Sequence, residues 1–126
     1  MIGWDPAATA LLELLPRTGR GPKRDGIFAL WLTLRVARDA RGGSPPMERA
    51  HRRRVAALEQ RLSSLALPAP LRRALAAAVA ELLAPDASAA ARALSQLVAP
   101  ARETAGADAA DAVASAARAA RQEARA

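Results

Sequence analysis

The sequence predicts an all-α protein, a compact bundle of five or six short helices with proline- and glycine-containing joints. Three observations predict it. Apolar residues recur at helical spacing in the segments between breaks. Helix-start signals, an Asp or Ser next to a proline, stand at several of those breaks. Alanine is abundant, which raises helix propensity along the chain. The 126 residues fit one small domain. They include 17 Leu, 5 Val, 2 Ile, 2 Met, 2 Trp and 1 Phe, enough large apolar side chains for one modest core. No internal repeat points to a solenoid.

The first helix is expected to start at Asp5 as N-cap, with Pro6 at its first position. Leu11, Leu12, Leu14 and Leu15 follow, and Pro16 ends it. Asp25 is the expected cap of a second helix over roughly residues 26–41. Ile27, Trp31 and Leu34 share one side there, Phe28 and Leu32 another, and Ala29, Leu30 and Val36 cover most of the rest. A helix apolar around its circumference is buried or lies at an interface. Arg35, Arg38 and Arg41 come later; Arg35 and Arg38 sit on the Trp31 side, which turns basic along its length.

A third helix begins near Ser44 with Pro45 and Pro46 in its first turn. Met47, Val55, Leu58, Leu62 and Leu65 form one stripe on it. Pro70 opens a fourth helix to Leu83, with Leu71, Leu75, Val79 and Leu82 inward. Asp86 or Ser88 caps a fifth, which carries Leu94, Leu97 and Val98 up to Pro100. The last segment has high helix propensity but a single large apolar residue, Val113. The chain therefore divides into a bundle over 1–106 and an alanine-rich C-terminal helix over 107–126, weakly anchored or mobile.

The charge is uneven. Net charge is +7, and 18 of the 19 basic residues are arginine. Residues 17–61 hold 12 basic and 4 acidic side chains, while 64–126 hold 7 and 6. GC-rich coding inflates alanine and arginine together, but it would spread arginine evenly. Two groups stand out. Arg17, Arg20, Lys23 and Arg24 crowd the first loop, and Arg49, Arg52 and Arg53 share the outer face of the third helix. These seven are the candidate anion- or partner-binding residues, since a concentrated positive field attracts nucleic acid, acidic proteins or anionic surfaces.

Known phosphate motifs fail in the first loop. A Walker loop requires Ser or Thr where Arg24 stands, and Arg24 also takes the third glycine position of the dinucleotide pattern. Trp4, Phe28 and Trp31 read as core, which argues against a binder that stacks single-stranded bases. The proline-rich joints do not match a helix-turn-helix.

No enzyme and no cofactor are expected. The chain lacks cysteine and tyrosine and has one histidine, His51, on the apolar stripe. A lone histidine does not make a His-rich zinc site. Asp108 and Asp111 sit at a helix start, where capping explains them. The N-terminus lacks the pattern of a secretion signal, and Ile27 to Leu34 is too short to span a bilayer. A soluble cytoplasmic protein is expected. The function expected is that of a small helical interaction or adaptor protein, whose basic face binds an acidic partner or which assembles with another protein. The alternative is a nucleic-acid-binding accessory protein of low sequence specificity.

Overall fold

The computed structural model describes residues 3–40 and 42–126. Its elements are α1 (Trp4–Leu14), a single 3-10 turn (Leu15–Arg17), α2 (Pro22–Arg38), α3 (Pro45–Ser63), α4 (Ala69–Leu82), α5 (Ala87–Ser95), α6 (Val98–Ala105) and α7 (Ala107–Arg125). Among the described residues there is no strand, and seven α-helices stand where five or six were expected. The extra one is α6. Pro100 was read as the end of the fifth helix, but it lies in the first turn of α6, where a missing N–H leaves no helical bond unmade.

Prolines start most of these helices. Pro6, Pro22, Pro45, Pro46 and Pro70 all fall within the first turn of their helix. This shifts two expected starts. α1 begins at Trp4 with Gly3 as N-cap, so Asp5 is inside the helix. α2 begins at Pro22, about a turn earlier than expected, because Gly21 takes φ 139° and turns the chain directly into the proline. Asp25 is therefore no cap. Its carboxylate accepts instead from the Ala66 amide at 3.2 Å and ties the start of α2 to the joint after α3. The expected start near Ser44 and the first of the two candidate caps of the fifth helix, Asp86, both carry a side-chain cap. The Ser44 hydroxyl accepts from the Met47 amide at 3.3 Å, and the Asp86 carboxylate from the Ala89 amide at 2.7 Å.

α2 is the centre of the bundle and touches each of the other six α-helices. Its Ile27, Leu30 and Leu34 meet Leu11, Leu71, Leu75, Leu82, Leu94 and Leu97 in one fully buried cluster. α3 packs chiefly on α2 and α4, at the margin. Its stripe is deep at Val55 and Leu58 but shallow at Leu62 and Leu65. Met47, expected inward, is 45% exposed at the helix start.

The C-terminal helix is packed more fully than expected. Ala109, Ala110, Ala112, Val113, Ala116, Ala117, Ala119 and Ala120 of α7 are buried, against α5, α1 and α6. Large side chains are not needed where alanines let two backbones come close; the area buried comes from many small contacts. The Trp4 indole also donates to Glu123 Oε1 at 2.7 Å, joining the first helix to the last. From Arg121 onward every residue is exposed. Hydrogen exchange is expected to show amides 109–120 protected as well as those of α3, with rapid exchange after 121. Exchange that is uniformly fast over 107–126 would restore the weakly anchored helix.

Candidate functional site

The seven candidate residues are all exposed, but they do not form one patch. Arg17 ends the 3-10 turn and Arg20 follows in a bend. Lys23 and Arg24 lie in the first turn of α2 rather than in a loop. There the helix dipole disfavours positive charge. Arg49, Arg52 and Arg53 line the outer face of α3, as the periodicity requires.

α2 and α3 run antiparallel. Asp25, near the start of α2, reaches Ala66 beyond the end of α3. Asp39, just after α2, lines a small cavity with Met47, Ala50 and Arg54 near the start of α3. The loop group thus sits at one end of the pair and Arg49–Arg53 towards the other. At about 1.5 Å per residue, some 20 Å of helix axis separates them. Arg41, the third arginine late in the expected second helix, lies outside the described residues.

Ion pairs occur elsewhere. Asp5 pairs with Arg38 at 2.9 Å, Glu81 with Arg92 at 3.0 Å, and Asp111 with Arg102 at 3.9 Å. Each joins neighbouring helices at the surface, where such pairs contribute little, about 0–1 kcal/mol. Among the described residues, none of the seven candidates has an ion-pair partner. Arg49, Arg52 and Arg53 therefore face solvent without an ion-pair partner among those residues, and Glu48 and Glu59 of the same helix offset their charge only in part.

The aromatic residues correct the sequence reading. Trp4 is buried, but Phe28 and Trp31 are only half-buried. Their rings stack at 6.0 Å between centroids, 23° from parallel. The guanidinium of Arg35 lies 4.8 Å from the Trp31 ring centroid, and that of Arg61, reaching over from α3, lies 5.5 Å from the Phe28 centroid. Arg35 and Arg61 were not among the candidates. The signal for Arg35 was its four-residue spacing after Trp31; Arg61 required the helix pairing.

His51 is fully buried, and its Nε2 contacts the Leu82 carbonyl oxygen. A carbonyl only accepts, so Nε2 carries the proton. Leu82 ends α4, and its carbonyl has no helical donor left to meet. The histidine is a cap supplied from another helix. Among the described residues no group of three His, Asp or Glu side chains is placed to hold a metal ion. No helix among them is long and apolar enough to cross a membrane. No protein-family model, curated protein or solved structure matches the chain.

Proposed function

We propose that the chain is a small, non-enzymatic, cytoplasmic interaction protein that binds an acidic protein partner through the α3 side of its bundle. The observation that carries this reading is the row Arg49, Arg52 and Arg53, exposed on a rigid helix and without an ion-pair partner among the described residues. Arginines without a close ion-pair partner on a fixed scaffold attract and orient an acidic surface. His51, the single histidine, supports the non-enzymatic part: it is buried and its N–H is committed to the Leu82 carbonyl.

The same arginine row favours a second reading, a nucleic-acid accessory protein of low specificity, because guanidinium groups pair equally well with phosphate. One variant separates the two. Reversing Arg49, Arg52 and Arg53 together to Glu is expected to change stability by only about 0.5 kcal/mol per site. Binding to an acidic protein partner is expected to fall at least tenfold. Under the second reading, binding to nucleic acid falls instead, and the salt slope flattens by roughly one unit per lost phosphate contact. Unchanged binding to both would remove the charge argument for function.

A further inference from the structure

We infer that the seam between α2 and α3 is the docking groove for an acidic amphipathic helix of the partner; this rests on the reading of the chain as a binder of acidic protein. The seam has a floor, a rim and a length. Leu32 and Val36 of α2 are half-buried, and Met47 of α3 is 45% exposed. They line two adjoining hollows, of about 210 Å³ and about 280 Å³, that share Asp39 and Arg54. Arg35 and Arg54 stand over the first hollow. Arg61 continues the rim one helical stretch further, over Phe28. Asp39 is the acidic residue of this lining, and it already lies 3.4 Å from the Arg38 Nε. The rim is therefore net positive.

Two of these arginines are held in place before any partner arrives. Arg35 lies over the Trp31 ring and Arg61 over the Phe28 ring. An arginine resting on an aromatic ring keeps its hydrogen-bonding edge free while losing side-chain freedom in advance. Less entropy is then lost when a carboxylate binds. From Phe28 to Arg38, α2 offers about 15 Å of length, nearly three turns of a second helix. Apolar residues at i, i+3 or i+4, and i+7 would enter the Leu32–Val36–Met47 floor. Glutamates or aspartates beside them would meet Arg35, Arg54 and Arg61. The floor is aliphatic, and guanidinium groups already lie on the two rings, so stacked bases fit this surface less well than leucines do.

The test uses the full chain as bait for a displayed library of 16-residue helical peptides. Enriched peptides are then synthesised and titrated against three proteins: the parent, Arg54→Glu, and the triple reversal Arg49→Glu, Arg52→Glu, Arg53→Glu. Arg54 is exposed, so its reversal is expected to keep the fold. Enrichment of peptides with an apolar stripe flanked by acids, weakened about tenfold or more by Arg54→Glu, supports the inference. A Leu32→Ser variant of unchanged helix content should weaken the same peptides. Acidic peptides sensitive only to the triple reversal overturn the seam but leave the acidic-partner reading standing. No enrichment, or enrichment of non-acidic peptides, overturns both. An oligothymidylate that competes for the seam more strongly than the peptides also overturns the inference, in favour of nucleic acid.

Discussion

The His51→Ala variant is expected to lose about 2–4 kcal/mol of stability. Two losses add. The ring fills a site with no solvent exposure, so truncation leaves a cavity between α3 and α4. It also removes the donor to Leu82, stranding a buried carbonyl at the end of α4. For a chain of this size the thermal midpoint should fall by roughly 10 °C. His51→Phe separates the two terms. It keeps most of the volume and deletes the donor, and is expected to cost about 1–3 kcal/mol. A change under about half a kcal/mol in both variants would mean that water satisfies Leu82 and that the histidine does not hold α3 onto α4.

The Ala116→Leu variant is expected to be destabilised by about 1–3 kcal/mol. Ala116 is fully buried in the α7 face that meets α5, α1 and α6. Alanine and leucine have nearly equal helix propensity, so the loss reports packing and not the helix itself. Three added carbons force the helices apart or drive neighbouring side chains off their rotamers. Arg118→Leu, on the exposed side of the same helix, is the control and should lie within about 0.5 kcal/mol of the parent. Thermal or denaturant unfolding checks both. Equal stability of the two variants would show that α7 yields easily, in keeping with the weak anchoring first expected from its lack of large side chains.

That contrast shows what was legible in the sequence. The inward rows of α4 and the middle of α3 were readable because leucine and valine mark a buried face by size. α7 marks its buried face with alanine, which occurs on both faces of the same helix, so spacing alone could not show that it docks. The helix starts at Ser44 and near Asp86 were readable since these side chains bond within their own turn. Asp25 was misread because its partner, Ala66, is 41 residues away. α6 was missed since proline both stops and starts helices, and only backbone geometry separates the two roles.

The candidate surface was legible to the same extent. The outward place of Arg49, Arg52 and Arg53 follows from helical period alone. Phe28 and Trp31 were read as core because aromatic residues are usually buried. Their half-exposure depends on how the neighbouring helices pack around α2, which spacing along one helix does not show. The arginine pair over those rings joins two helices, so no single stretch of sequence contains it.

The most direct measurement of the central claim is recovery of tagged protein from its host after nuclease treatment, with the Arg49→Glu, Arg52→Glu, Arg53→Glu variant run in parallel. An acidic protein is expected to be retained by the parent despite nuclease and lost from the variant at the same salt. Identical capture by both proteins, or capture that nuclease alone abolishes, would contradict it.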